Sequence, residues 1–422
     1  MQLHFYGADR AVTGSCHGVT VNGRRVLIDC GLQQGRDEVD NQGFPFSPAQ
    51  INDVIVTHAH IDHSGRLPLL VKQGFRGKIY ATDMTCRLLR IMLLDSAHIQ
   101  ESDAEYESKK AARAGKKPVE PLYTISDAES ALERLRPVGY GELVELSDSL
   151  RFRLTDAGHL LGSGYVELWA TENGQERKLV FSGDIGNVDQ PIIRDPSPIS
   201  EADYVIMEST YGDRNHQRPD DYCQVLSEIL DQTFSKGGNV IIPSFAVGRT
   251  QELLFFFREI KAKGLVRSLP DFPIVVDSPL AVEATKIFSG DLSGFLDQIL
   301  FGLLDRLLCG KCLVLVLLRI KFIGGIIQKI VVLRFLVLFR LVLLIDLFKA
   351  DLEIKYIDNK SLVFTDTGCG KCGQSLFVGK NGFIFLRTVF GTLPCSLPLF
   401  RCSRRITLVE VGHHAVNIGI FG

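Results

Sequence analysis

The sequence predicts a layered α/β fold whose strands end on loops carrying polar chemistry, and three observations predict it. Apolar strand-like runs alternate with helical patterns through the first 300 residues, which is the signature of sheets covered by helices. Asn22-Gly23 sits between Gly18-Val19-Thr20-Val21 and Arg24-Arg25-Val26-Leu27-Ile28, a hairpin signal of the two-residue type. The apolar run Val54-Ile55-Val56-Thr57 passes directly into His58-Ala59-His60-Ile61-Asp62-His63, four metal-ligand side chains within six residues. Length alone allows two to three domains, each large enough to bury a core.

The histidine-rich stretch is the strongest chemical signal. Imidazole nitrogens and carboxylate oxygens bind zinc at about 2 Å, and a catalytic site needs several of them on one point with a coordination position left for water. In an extended backbone, residues two apart share a face, so His58, His60 and Asp62 can point one way. His63 joins them only if the chain turns, and Ser64-Gly65 followed by Arg66-Leu67-Pro68-Leu69-Leu70 supplies the turn into a helix. The plain alternative is a polar loop with solvated histidines.

Two later segments add ligands. Arg151-Phe152-Arg153-Leu154-Thr155 alternates as a half-buried strand and leads into Asp156-Ala157-Gly158-His159, which puts His159 just past a strand end. Lys178-Leu179-Val180-Phe181 is another strand, closing on Ser182-Gly183-Asp184-Ile185-Gly186-Asn187, so Asp184 also lies at a strand terminus. Either residue alone reads as an ordinary loop side chain. Together with the first cluster they bring the candidate metal ligands to six.

These segments resemble a known family. His58 to His63, Ala157 to Gly164 and Phe181 to Asn187 are similar to the successive metal motifs of the metallo-beta-lactamase fold, and Leu27-Ile28-Asp29-Cys30-Gly31 is similar to its first motif. Met207 to Asp213, Pro243 to Glu252 and Val276 to Ala281 resemble the beta-CASP insert, which narrows the resemblance to beta-CASP RNA-processing nucleases over about residues 1–295. The resemblance implies a four-layer αββα sandwich over 1–200, an inserted α/β beta-CASP domain beginning at 201–295, and an atypical segment over 296–422. It implies two zinc ions, with His58, His60 and His159 on one, Asp62 and His63 on the other, and Asp184 between them. Asp29 then lies behind a ligating histidine and fixes its orientation, as carboxylates do around metals; its plain alternative is an aspartate closing a strand. Asp62, Asp184 and Glu208 are the implied catalytic acids, Glu208 orienting a catalytic histidine or moving a proton.

Imidazole and carboxylate ligands without thiolate suit a hydrolytic zinc site, and a pair of zinc ions can stabilise both the attacking and the leaving oxygen of a phosphodiester. The implied activity is therefore cleavage of RNA, by endo- or exonucleolytic attack. The loop Pro243 to Gly248 leads from the strand Asn239-Val240-Ile241-Ile242 into a helix near Arg249; free amides at a helix start favour an anion, so Ser244 and Arg249 are candidate phosphate contacts, against the reading of a plain strand-loop-helix joint. Two other functions stay open: hydrolysis of a thioester or lactam, which the stretch Glu208 to Ala281 argues against, and a catalytically impaired RNA-binding scaffold.

Charge does not favour nucleic acid globally. Residues 1–300 carry 31 Lys+Arg against 42 Asp+Glu, a net of −11. Lys109-Lys110, Arg113 and Lys116-Lys117 form one local basic candidate, whose alternative is a solvated basic loop. Ser126-Asp127-Ala128-Glu129 reads as a capping box opening a helix through Leu135. Met1 to Arg10 lacks the apolar core of a signal peptide, and Cys16, Cys30, Cys86 and Cys223 read as reduced thiols, so a cytoplasmic location is expected, with RNA as partner, no membrane, and homo-oligomerisation left open.

From about residue 296 the chain changes character. Residues 301–422 carry 16 Lys+Arg and 7 Asp+Glu, six of the ten cysteines and no methionine. Between Cys312 and Phe348 an apolar stretch is broken by Arg319, Lys321, Lys329, Arg334, Arg340 and Asp346, too often for a membrane span of about 18 uninterrupted apolar residues. The family's later histidine motifs are missing, and Gly412-His413-His414 is a superficial echo. Motif loss and charge reversal together imply a shifted reading frame or a mis-spliced gene, which translation of the other frames past codon 295 tests. The consequence is an incomplete second zinc site. Two Cys-Gly-Lys-Cys elements, Cys309 to Cys312 and Cys369 to Cys372, stand 57 residues apart, beyond the roughly 15 to 20 usual for a zinc knuckle.

Overall fold

The computed structural model describes residues 1–35, 41–214 and 221–290, with strands at 384–388, 407–411 and 416–420. Both Cys-Gly-Lys-Cys elements, the apolar stretch after Cys312 and the Gly412-His413-His414 echo lie outside the described residues.

Three sheets organise the chain. The first has the order β1-β2-β3-β4-β5-β6, built from Gln2–Gly7, Cys16–Val21, Arg24–Ile28, Asp53–Ile55, Lys78–Thr82 and Leu135–Val138. Its first three strands are antiparallel and the rest are parallel. The β2–β3 hairpin turns where the sequence places it, at Asn22 and Gly23, both with positive φ (47° and 81°) as a tight two-residue turn demands. The second sheet runs β11-β10-β9-β8-β7, from Tyr204–Ile206, Gln175–Phe181, Gly164–Glu172, Leu150–Asp156 and Leu143–Ser147. Parallel pairing of β11 with β10 carries this sheet six residues past position 200. A third sheet pairs Val240–Ser244 (β12) with Ile384–Thr388 (β14) and Thr407–Val411 (β15), flanked by Ile274–Asp277 (β13) and Val416–Ile420 (β16).

Residue alternation builds the layers. On β3, Val26 and Ile28 join Ile55, Phe152, Leu154, Val166, Leu168 and Phe181 in the core between the first two sheets. Leu27, one residue out of phase, faces the other way with Val54, Val56 and Ile79 toward the helices. That helical layer comprises α2 (Leu67–Lys72), α3 (Asp83–Arg113) and α4 (Ile125–Leu132), which bury Leu67, Leu70, Leu88, Leu89, Ala128 and Leu132. At about 25 cal/mol per Å² of apolar surface, each fully buried leucine stabilises the fold by roughly 1.5–3 kcal/mol.

Helix α4 departs from the expected boundaries. Its capping box is Thr124 with Asp127, two residues before the Ser126 and Glu129 read from sequence, and it stops at Leu132 because Leu135 already pairs with Ile79 in β6. Thr124 wins because its extended backbone (φ −102°, ψ 170°) lets its hydroxyl accept from the Asp127 amide while Asp127 accepts from the Thr124 amide. After β11 come α5 (Tyr222–Phe234), α6 (Arg249–Ala262) and α7 (Pro279–Phe288), which bury Leu226, Leu230, Phe257 and Ala284 around β12 and β13. Cys16, Cys30, Cys86 and Cys223 are all buried and free.

Candidate metal centre

Four strands of the two facing sheets, β3, β4, β8 and β10, are followed by the residues that cluster: Asp29, His58 with His60, His159 and Asp184. After β4, a loop carries His58 and His60, and a single helical turn, α1 (Ile61–Ser64), follows at once. The turn begins earlier than Ser64-Gly65 suggests: the amides of His63 and Ser64 both donate to the His60 carbonyl, and the Ser64 hydroxyl donates to the same oxygen at 2.9 Å. Asp62 is therefore rotated away from the face it would share with His58 and His60 in an extended strand, and it joins His63 instead.

His58, His60, His159 and Asp184 each present one ligand atom, and these four atoms all lie within 4.8 Å of one another. His58 Nε2 is 3.0 Å from His60 Nδ1, and His159 Nε2 is 3.3 Å from the same nitrogen. One oxygen of Asp184, Oδ2, lies 3.7 Å from His58 Nε2 and 3.4 Å from His159 Nε2. Its other oxygen, Oδ1, lies 3.0 Å from His63 Nε2, which is 3.8 Å from Asp62 Oδ2. Asp184 thus stands between two sets of donors, one with three histidines and one with His63 and Asp62. Borderline imidazole and hard carboxylate donors converging in this way fit a divalent metal ion.

Buried hydrogen bonds aim these ligands. Asp29 is buried at the close of β3 with φ +62°, a left-handed conformation that aspartate tolerates better than most residues. Its Oδ2 accepts from His63 Nδ1 at 2.7 Å, from the Thr57 hydroxyl at 3.0 Å and from the Ser15 hydroxyl at 3.2 Å, and its Oδ1 accepts from the Thr57 amide at 2.8 Å. Since the Thr57 hydroxyl gives its proton to Asp29, it can only accept from His58 Nδ1, 3.1 Å away, which leaves the Nε2 lone pair of His58 facing the cluster. One carboxylate therefore sets two histidines, one directly and one through a hydroxyl. The Ser163 hydroxyl accepts from the amides of His159 and Leu160 and fixes the third.

Close backbone packing holds the three loops together. A Cβ on Gly31 would overlap the Asp62 carbonyl, and one on Gly186 would overlap the Gly158 carbonyl and the His159 amide. Glu208, past the end of β11, accepts from the Ile185 amide at 2.6 Å and from the Thr210 hydroxyl at 2.8 Å, so it braces the loop that presents Asp184. Ser244 is buried and shares a hydrogen bond with Thr250 at 2.8 Å, inside the strand-to-helix joint. Arg249 opens α6 and pairs with Glu252 at 2.6 Å. Gly248, with φ +87°, brings that joint within van der Waals reach of Leu160, the neighbour of His159. Sequence reasoning missed Thr57, Ser15 and Ser163; a hydroxyl adjacent in sequence to His58 was the one available signal.

Electrostatics follow from this crowding. Burial holds His58 well below its ordinary range, with further repulsion from His63. Burial also works against a charged His63, but Asp29, Asp62 and Asp184 overrule it and hold its proton well above the usual imidazole range. Burial pushes Asp184 up, yet His63, His58 and His159 outweigh that and keep it ionised far below the ordinary carboxylate range. The chain thus supplies unprotonated nitrogen at His58 and a permanent anion at Asp184. A separate polar cleft of about 390 Å³, lined by Tyr140, Arg153, Asp156, Glu167, Lys178 and Arg194, holds none of the clustered histidines.

A two-sheet frame gathers candidate metal donors on the loops at its strand ends, and comparison with known proteins shows what the chain is similar to. Residues 24–230 match the beta-lactamase superfamily domain. Among curated relatives, a ribonuclease of Thermus thermophilus is 40% identical over 289 residues, covering 68% of this chain and 61% of the relative. Transcription termination factor FttA of Methanosarcina mazei is 32% identical over 67% of this chain and 42% of its own length. Cleavage and polyadenylation specificity factor 73 of Drosophila melanogaster is 27% identical over 71% of this chain and 41% of its own. The chain therefore spans between two-fifths and three-fifths of the length of these relatives. Among the described residues, no helix is long and apolar enough to cross a membrane.

Proposed function

We propose that this chain is a zinc-dependent hydrolase that cleaves RNA phosphodiester bonds. The observation that carries the reading is the convergence of His58, His60, His159 and Asp184, with His63 and Asp62 on the far side of the same carboxylate. Relatives named as a ribonuclease and a cleavage factor support RNA as the substrate class.

His58, His60, His159 and Asp184 would hold one zinc, and Asp62, His63 and Asp184 a second. Bound there, zinc supplies an acidified water and a counter-charge for the phosphate oxygens. The remaining work falls to the protein. Asp29 and Thr57 keep the metal-facing nitrogens of His63 and His58 aimed, Ser163 fixes the His159 loop, and Glu208 anchors the Asp184 loop. Asp62, about a quarter exposed, would accept a proton from the attacking water. Ser244 and Arg249 serve the phosphate through the backbone of their joint, since the Ser244 hydroxyl is already engaged by Thr250.

A second reading, an RNA-binding scaffold impaired in catalysis, is favoured by the second donor set: among the described residues it has three members against four in the first. Zinc content per chain, measured with cleavage of an end-labelled RNA and an Asp184→Ala control, separates the two. About two zinc ions and cleavage abolished by Asp184→Ala support the hydrolase. One zinc or none, with RNA bound but uncut, selects the scaffold, and hydrolysis of a lactam or thioester in place of RNA overturns both.

A further inference from the structure

The basic run Lys109 to Lys117 takes a definite shape. Lys109, Lys110 and Arg113 lie on the last turns of α3 rather than in a loop, and the helix ends in a left-handed reversal at Gly115 (φ +66°), where the Lys116 amide donates to the Ala111 carbonyl and the Gly115 amide to the Ala112 carbonyl. The chain then doubles back along the helix, pinned by the Ser108 hydroxyl, which accepts from the Val119 amide at 2.8 Å and donates to the Val119 carbonyl at 3.1 Å. Lys116 and Lys117 are thereby folded against the turn that carries Lys109 and Arg113, so five cations share one helix tip with no acid between positions 109 and 117. Glu105 and Glu107 pair with Lys109 and Lys110 in exposed geometry, which screening makes weak. Tyr106, also exposed, stands three, four and seven residues before Lys109, Lys110 and Arg113, on the same helical face. An aromatic plate among cations is the combination that grips a single-stranded nucleic acid, by base stacking and phosphate contact together.

Position gives this tip a role. At the opposite end of α3, the hydroxyls of Thr82 and Thr85 donate to the Gly162 carbonyl, in the loop that carries His159. The helix has 31 residues, so the basic tip lies on the order of 45 Å from that loop at about 1.5 Å per residue.

We propose that the tip of α3, formed by Tyr106, Lys109, Lys110, Arg113, Lys116 and Lys117, is a remote docking site for single-stranded RNA, so that long strands are held at both ends of the helix and short ones only at the metal cluster. This rests on the RNA reading above. The test uses the zinc-loaded full chain, phosphorothioate-linked single-stranded RNAs of 20 and 4 nucleotides, and a series of salt concentrations. A tetranucleotide spans about 14 Å when stacked, at roughly 3.4 Å per residue, and cannot bridge the helix even at twice that length.

Replacing all five cations by glutamine should weaken 20-mer binding by about 10- to 100-fold and reduce the salt slope by about 2 to 3.5, at roughly 0.7 per single-strand phosphate contact. Tyr106→Ala alone should weaken it by about 5- to 10-fold through lost stacking. Tetranucleotide affinity, zinc content and melting temperature should not move in either variant. An unchanged 20-mer affinity and salt slope in the five-cation variant overturns the docking site while leaving the hydrolase reading intact. A tip that instead binds a polyglutamate peptide in preference to RNA also overturns it. Failure of the unmodified chain to bind or cut either RNA removes the RNA reading itself, and the docking site with it.

Discussion

Asp29→Asn tests how far one buried carboxylate governs the metal cluster. The substitution keeps size and shape, and asparagine accepts the left-handed backbone at φ +62°, so no new backbone strain enters. Oδ1 remains to accept from the Thr57 amide at 2.8 Å. The Oδ2 position becomes an NH2 group, which cannot accept from His63 Nδ1, 2.7 Å away. Two donors then face each other in a buried site. Loss of the Asp29 charge removes the main support of the charged ring, and the relief open to a neutral, metal-binding His63 is to carry its proton on Nε2, the nitrogen 3.0 Å from Asp184 that a metal needs bare. Loss of a buried charge-assisted bond costs about 1.5–3 kcal/mol, and up to roughly 3–5 kcal/mol where it leaves a charge uncompensated. Mutations behind metal ligands cost about 10- to 100-fold in affinity. Competition with a chromophoric chelator for zinc, and thermal unfolding with and without the metal, measure the two effects. The expected result is weaker zinc binding by at least about tenfold and a lower melting temperature in both forms. Zinc affinity and melting temperature equal to those of the unsubstituted chain would refute the claim that Asp29 orients His63.

Two further predictions rest on different physics. Gly186→Ala places a methyl group against the Gly158 carbonyl and the His159 amide, which drives the Asp184 and His159 loops apart; zinc affinity should fall by about tenfold or more while far-ultraviolet circular dichroism stays close to that of the original. Burial pushes the Asp156 carboxyl up to about 6, so ionising it disfavours the folded chain. That stability is fully present below the unfolded value near 3.8 and lost as pH rises through about 6. Asp156→Asn should therefore raise stability by about 1–3 kcal/mol at pH 8, after discounting for partial exposure, and leave it nearly unchanged at pH 4. Chemical denaturation at the two pH values reads this directly, and equal effects at both would contradict it.

Much of the site is local in sequence. His58 to His63, His159 and Asp184 each follow an apolar strand, and the period-two alternation that buries Phe152 and Leu154 fixes where those strands end. Positions of the ligands along the chain could be read without coordinates, because a strand terminus and a polar cluster are both short-range patterns. Boundaries were less legible. Thr124 displaced Ser126 as the start of α4 because the backbone at 124 is extended, a property that tertiary packing sets. The helical turn at Ile61 sets Asp62 beside His63, as the family resemblance implied and the extended-strand pattern of His58, His60 and Asp62 did not.

The sequence by itself determined the donor inventory, the alternation of strands and helices, and the acidic body interrupted by one basic run. Tertiary structure decided which donors meet. Asp29 reaches His63 across 34 residues and His159 reaches His60 across 99, distances over which no local pattern carries information. Only the stacking of two sheets with their loop-bearing ends together brings such residues within hydrogen-bond range, and only the reversal at Gly115 gathers five cations onto one helix tip.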